Sequence, residues 1–375
     1  MKVLISCGGT GGHINPGLAI ADIIKKAYPD AEFLFAGTPN GMESKLVPQA
    51  GYKMEHIKVA GFQRSLSLEN IGRNAKAVAY LITSGKRAKE IVKGFNPDIA
   101  IGTGGYAAGP VIRKAAKMGI PTAIHEQNAY PGVTNRLLSK DVDYVMLTVE
   151  EALEYMDKSK FRYSVTGLPV RSNISNRLTK AEARKKLGFN DDFTILSFGG
   201  SLGAGCINET MTEAIKWHQS KGLAINHIHG YGGMGKDTFP QAMKAAGIPL
   251  KSNRLRITEY ITDMDVCLAA ADLVVCRSGA STLAELEAAG KASILIPSPI
   301  VAGNHQYHNA MVLGKAGAAE VIEQKDASPE RIISEIEKLY NDRDKVEVMS
   351  ASAKGLHLED TNQRILSVVK ELCKK

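Results

Sequence analysis

The chain has 375 residues, 44% of them hydrophobic, and a formal net charge of +8. That length favours two domains, and the apolar fraction supplies packed cores, which excludes a disordered chain. No stretch approaches the roughly 20 apolar residues of a membrane span, and the five scattered cysteines lack metal spacing and read as reduced cytosolic thiols.

The opening residues also lack the apolar region of a signal peptide. A basic chain suits an anionic membrane or phosphorylated substrates. With no nucleic-acid motif present, no nucleic-acid partner is expected.

In chain order, short apolar runs predict strands at Lys2–Ser6, Glu32–Ala36, Ile99–Gly102, Thr122–His125 and Tyr144–Thr148. A second series follows at Thr194–Phe198, Ile225–His229, Leu273–Cys276 and Ser293–Ile296. Such runs suit strands buried on both faces. Between them lie helical periodicities, such as Ile20, Ile23, Ile24 and Ala27, or Ile207, Met211 and Ile215. The alternation predicts an α/β protein with parallel sheets. The pattern restarts near residue 194, so two doubly wound domains facing a cleft are expected, with Gly167–Arg171 as a hinge.

Each half opens with a strand that runs into a glycine loop. The first loop is Cys7-Gly8-Gly9-Thr10-Gly11-Gly12-His13, followed by Asn15 and Pro16, read as a helix cap and a first helical position. Loop amides at a helix start favour a phosphate or a developing anion. Dinucleotide binding fits poorly. Ile14 stands where the third glycine of that fingerprint belongs, and the second strand ends in Ala36-Gly37-Thr38 without an acidic residue. No P-loop occurs. Further along, Gly102–Pro110 and Gly132–Arg136 are expected to shape an acceptor site, with Gly104, Gly105, Tyr106 and Asn135 on the acceptor side.

The second-half loop, Gly199–Ala204, carries the Ser201 hydroxyl. Cys276–Glu285 follows a strand and opens a helix, placing Glu285 where a carboxylate can accept hydrogen bonds from a ribose diol. The run Asn304-His305-Gln306-Tyr307-His308-Asn309 is too polar for a buried helix face and suits recognition of sugar hydroxyls.

Taken together, Gly8–His13, Gly102–Pro110, His125–Asn128, Gly167–Arg171, Gly199–Ala204, Cys276–Glu285 and Gln306–Ala310 resemble the MurG family of N-acetylglucosaminyltransferases across nearly the whole chain. The resemblance implies a GT-B fold: residues 1–166 plus a last helix near 357–375 as the acceptor and membrane-side domain, and 167–356 as the donor domain. It implies inverting, metal-independent transfer of GlcNAc from UDP-GlcNAc to the C4 hydroxyl of MurNAc in lipid I, giving lipid II for peptidoglycan synthesis, with no cofactor. Residues matching the family's donor contacts are Thr10, Gly11, Gly12, Asn128, Arg171, Ser201, Ile261, Ala280, Ser281, Thr282, Leu283, Ala284, Glu285 and Gln306. Glu285 would hold the ribose, the Ile261 backbone would meet uracil, and Asn128 and Gln306 would read sugar hydroxyls. Leu168 and His305 depart from the residues common in the family at those positions. Other cell-wall synthesis proteins are implied as further partners.

Inverting transfer needs a base, and histidine serves near neutral pH. His13 is the first candidate and His125 the second, with Thr10, Ser201, Arg171 and helix-end amides on the diphosphate. Between His56 and Lys93, eight Lys or Arg face only Glu69 and Glu90, which suits peripheral docking on the anionic cytoplasmic face of the cell membrane. The Ile71, Ala75, Val78 and Ile82 stripe in the same segment has core-helix spacing. The competing functions are a UDP-GlcNAc 2-epimerase, a transferase with another lipid acceptor, and a non-catalytic nucleotide-sugar binder.

Overall fold

The structure, a computed structural model, describes residues 1–59, 83–170, 174 and 178–374. The chain divides into two compact units, Met1–Pro169 with Leu358–Lys375, and Val170–His357.

The first unit holds a seven-stranded sheet of β1 (Lys2–Cys7), β2 (Glu32–Gly37), β3 (Lys53–His56), β4 (Ile99–Gly104), β5 (Thr122–Glu126), β6 (Tyr144–Leu147) and β7 (Arg162–Val165). All neighbours run parallel, in the order β3-β2-β1-β4-β5-β6-β7. The second unit repeats the plan with β8 (Phe193–Phe198), β9 (Ile225–Gly230), β10 (Leu255–Thr258), β11 (Leu273–Cys276), β12 (Ala292–Leu295) and β13 (Ala319–Val321). Their order is β10-β9-β8-β11-β12-β13, again parallel throughout. The order reverses between β1 and β4 and between β8 and β11. In doubly wound sheets, ligands bind beyond the strand ends at such a switch. Each switch is flanked by glycine-rich loops: after β1 and β4 in one unit, and after β8 and β11 in the other.

Strand periodicity explains the double burial. Along β1, Val3 and Ile5 face one layer with Ile14, Ile20 and Ile24 of helix Gly11–Ala27, while Leu4 faces the other with Val111 and Ile112. The final helix, Thr361–Cys373, packs Ile365, Val368, Val369 and Leu372 into the same layer as Val3 and Ile5. In the second unit Ile195, Val275 and Ile294 share a layer with Ile207, Met211 and Ile215, and Leu196, Val274 and Leu295 face Leu283, Leu286 and Leu313.

All nine predicted strands are present, and β3, β7, β10 and β13 are additional. One expectation is corrected. The first helix begins at Gly11 with Thr10 as N-cap, so Asn15 and Pro16 lie inside it. Pro16 therefore removes the N–H that would have bonded the Gly12 carbonyl. The stripe from Ile71 to Ile82 and most of the basic segment before residue 83 lie outside the described residues, as does Arg171. Among the described residues, no helix is long and apolar enough to cross a membrane.

Candidate active site

The loop after β1 is built around a buried carboxylate. Glu43 is fully buried and accepts hydrogen bonds from the N–H of Gly9 (3.1 Å), the N–H of Thr38 (2.9 Å) and the Thr38 hydroxyl (2.6 Å). Burial pushes its carboxyl up, but the Thr38 and Gly9 donors outweigh that, and the net direction is down. A Cβ on Gly8 would meet Glu43 Oε1 at 2.7 Å, so a side chain there would unseat the carboxylate. Above this support, Thr10 and Gly12 are exposed and Gly11 half-buried. The loop after β4 closes against it: Gly105 has φ +84, and a Cβ there would lie 2.1 Å from the Gly8 carbonyl oxygen. Tyr106, next along, is exposed.

His13 sits in the first helical turn with a half-buried side chain. Its carbonyl accepts the Thr103 hydroxyl at 2.7 Å. Its ring lies against Gly104 (φ +107), where a Cβ would stand 2.7 Å from Nδ1. Only glycine combines that φ with so close an approach. His13 Nδ1 is 3.0 Å from Gln127 Oε1.

His125 is different in kind. It is fully buried, its Nε2 is 2.9 Å from the Gly167 carbonyl and its Nδ1 is 3.1 Å from Gln127 Nε2. Burial pushes its pKa down. With no exposed surface and both ring nitrogens occupied, it cannot take a proton from a substrate, so the expectation that it could serve as a base is corrected. Asn135 is likewise buried rather than presented. Its Nδ2 donates to the His125 carbonyl (3.2 Å) and to Glu126 Oε2 (2.8 Å). Glu126 also accepts the N–H of Asn128 (2.9 Å), Asn128 Nδ2 (3.1 Å) and the N–H of Gly132 (3.1 Å). It is the hub that shapes the 127–132 loop and holds Asn128 half-buried at its edge.

In the second unit, the loops after β8 and β9 interlock. A Cβ on Gly203 (φ +83) would lie 2.2 Å from the Tyr231 carbonyl, and one on Gly232 would lie 2.3 Å from Gly203 N. Ser201 is exposed at this turn, and helix Gly205–Ser220 follows. After β11, Gly279 caps helix Ala280–Ala289, with Ala280, Ser281 and Thr282 half-buried in its first turn and Glu285 half-buried in its second. Leu283 and Ala284 point into the core, so any ligand contact there is limited to their backbone.

Helix His305–Lys315 is tied to this loop. The Ser278 hydroxyl donates to the Gln306 carbonyl (2.7 Å), Asn309 Nδ2 donates to the Ser278 carbonyl (3.3 Å), and the Ser298 N–H donates to Gln306 Oε1 (2.9 Å). The last bond orients the Gln306 amide with its N–H group as the donor it can offer. Ile261 is buried against Gly230, where a Cβ would meet its Cδ1 at 3.1 Å.

Thus Thr10–His13, Gly104, Gly105 and Gln127 converge in one unit, and Ser278–Glu285 with Gln306 in the other. Glu43 and Gln127 are structural partners that the sequence did not single out. A glutamate in Glu43-Ser44-Lys45-Leu46 reads as solvated, while Gln127 lies within a recognised motif, between the His125 and Asn128 side chains that drew attention.

Two Rossmann-like parallel sheets with glycine-rich loops at both switch points define the GT-B class of glycosyltransferase. Residues 3–147 match the glycosyltransferase family 28 N-terminal domain and residues 194–365 its C-terminal domain. The chain belongs to the family of UDP-N-acetylglucosamine--N-acetylmuramyl-(pentapeptide) pyrophosphoryl-undecaprenol N-acetylglucosamine transferases. It is 46% identical over 376 residues to the transferase of that name from Acetivibrio thermocellus, covering 100% of this chain and 99% of the relative. It superposes on the crystal structure of Acinetobacter baumannii MurG with TM-score 0.78 and 27% identity, covering 99% of each chain. The UDP-GlcNAc 2-epimerase from Neisseria meningitidis bound to UDP-GlcNAc gives TM-score 0.63 at 13% identity, covering 99% of this chain and 100% of that one, a likeness of fold alone.

Proposed function

We propose that the protein is an inverting, metal-independent β-1,4-N-acetylglucosaminyltransferase. It moves GlcNAc from UDP-GlcNAc to the C4 hydroxyl of MurNAc in lipid I, giving lipid II for peptidoglycan synthesis. The observation that carries this is the 46% identity over the full length of a transferase named for that reaction. The epimerase reading has only the shared fold behind it.

In the reaction, His13 Nε2 takes the proton of the acceptor C4 hydroxyl as its oxygen bonds to C1 of GlcNAc. The C1–oxygen bond to the diphosphate breaks, and UDP departs with the electron pair. His13 is favoured over His125 because its side chain is half-exposed beside an open glycine loop. Ser201, Thr10, Arg171 and the amides at the starts of helices Gly205–Ser220 and Ala280–Ala289 neutralise the leaving diphosphate. Glu285 accepts from the ribose hydroxyls, the Ile261 backbone meets uracil, and Gln306 and Asn128 address the sugar. The second unit is accordingly the donor domain and the first the acceptor domain.

The acceptor is lipid-linked, so the protein works at a membrane. We assign it to the cytoplasmic face, held peripherally by the basic residues between 58 and 93. The test of function is a transfer assay with labelled UDP-GlcNAc and a short-chain lipid I analogue, with and without EDTA. Disaccharide and free UDP in both are expected. Donor turnover without acceptor, or no disaccharide from protein that binds donor, would overturn the assignment.

A further inference from the structure

The geometry points to Gln127 as a positioning residue that fixes which ring nitrogen of His13 is free to accept a proton. This rests on the reading of His13 as the base. The Gln127 amide is almost fully buried. Its Nε2 lies 2.8 Å from the His125 carbonyl oxygen, an atom that can only accept. The opposite amide orientation would set two oxygens against each other at that distance. Gln127 Oε1 is therefore the atom facing His13 Nδ1 at 3.0 Å, and because an amide oxygen has no proton to give, His13 must carry one on Nδ1. The lone pair then resides on Nε2.

The remaining bonds agree with this polarity. The Gly167 carbonyl can only accept from His125 Nε2, 2.9 Å away. A neutral His125 then has its lone pair on Nδ1, facing the second Nε2 hydrogen of Gln127 at 3.1 Å. Donor and acceptor alternate without conflict from Gly167 to His13, and each member of the relay is spoken for. Buried networks satisfied in this way hold their members rigidly. Gly104 closes the other side of the ring, since any Cβ there would displace Nδ1. The amide oxygen also orients the imidazole without placing a negative charge beside it, as a carboxylate partner would.

The test uses the full-length protein labelled with 15N-histidine, with the His13 resonances assigned from their loss in His13→Gln. Two-bond 1H–15N spectra at about pH 8, where free histidine is neutral, are expected to show His13 protonated on Nδ1. Gln127→Leu removes the acceptor. It is expected to release the ring to the other tautomer and to lower kcat by roughly 10- to 100-fold, with donor KM nearly unchanged. Gln127→Glu can still accept from Nδ1–H and is expected to keep the tautomer, at a cost in stability because its second oxygen faces the His125 carbonyl. Wild-type His13 protonated on Nε2 would overturn the inference, and with it the choice of Nε2 as the atom that takes the proton. A Gln127→Leu protein with unchanged tautomer and kcat would also overturn the inference. If Gln127→Leu does not fold, the wild-type spectrum alone decides. Near-normal turnover by His13→Ala would instead remove the base assignment, and with it Gln127's part in catalysis.

Discussion

Glu43 lies beneath Gly9 and accepts its backbone N–H at 3.1 Å, so the first glycine loop rests on an internal anion. That carboxylate also ties the end of β2 to the loop through Thr38. Glu43→Gln keeps the shape but replaces one acceptor oxygen by a donor, setting it against N–H or O–H groups. The expected loss is about 1–3 kcal/mol of stability, together with reduced turnover as the loop loses its support. Urea unfolding and steady-state rates check this, and a variant indistinguishable from wild type in both would contradict it. The folded carboxyl is shifted down, so its contribution is present at neutral pH and is lost as pH falls below 4.5 through the lowered folded value.

A buried histidine series in the second unit predicts acid sensitivity in a higher window. His218 Nε2 faces His227 Nδ1 (3.2 Å), and the Ser197 hydroxyl bridges His227 Nε2 (2.9 Å) and His229 Nδ1 (2.8 Å). Burial pushes His218 down to about 4, His227 well below the ordinary value and His229 to about 3. The unfolded chain binds these protons below about pH 6.5 while the folded one does not. Stability is therefore full above about pH 6.5 and declines as pH falls toward about 4. Unfolding free energies between about pH 5 and 7 should slope by up to three protons, and His227→Leu should flatten the slope. A pH-independent wild type would contradict it.

Donor recognition separates two residues by their kinetic signature. Glu285→Gln should raise donor KM and weaken UDP binding about 10-fold or more, since a ribose hydrogen bond to a charged acceptor contributes about 1.5–3 kcal/mol. Gln306→Ala should affect UDP-GlcNAc and spare UDP, because the role proposed for its amide is on the sugar. Calorimetry with both ligands distinguishes them. Equal losses for UDP and UDP-GlcNAc in Gln306→Ala would remove it from the sugar subsite.

Central strands are legible because both their faces are buried, and continuous apolar runs such as Val3–Ile5 or Val274–Val275 announce that. Edge strands β3 and β13 and the outer β7 and β10 are not. Sequences such as Lys53-Met54-Glu55-His56 and Arg162-Tyr163-Ser164-Val165 have less to bury and keep polar residues. Glycine loops are visible as ligand loops, but their supports are not, since only the tertiary fold carries Glu43 beneath Gly8. The two histidines look alike in sequence. Burial decides between them: His125 is enclosed by Gly167, Gln127 and Asn135, while His13 stands at an open loop. Asn15 and Pro16 mislead because cap residues signal a helix start only where the preceding residues are not already helical.

Membrane docking has an ionic signature. Lys86, Arg87, Lys89 and Lys93 belong to helical residues 83–95, whose Ala88, Ile91 and Val92 are buried in the first unit. Sedimentation with anionic vesicles should show binding that falls steeply between about 0.05 and 0.5 M salt. Salt-insensitive absence of binding would remove this part of the account.

The proposed mechanism rests on His13 taking the acceptor proton. The decisive measurement is kcat of His13→Ala at saturating UDP-GlcNAc and lipid I analogue, with UDP affinity measured alongside. A fall of roughly 10²- to 10⁴-fold in kcat with UDP binding preserved is expected. Near-normal turnover would contradict it.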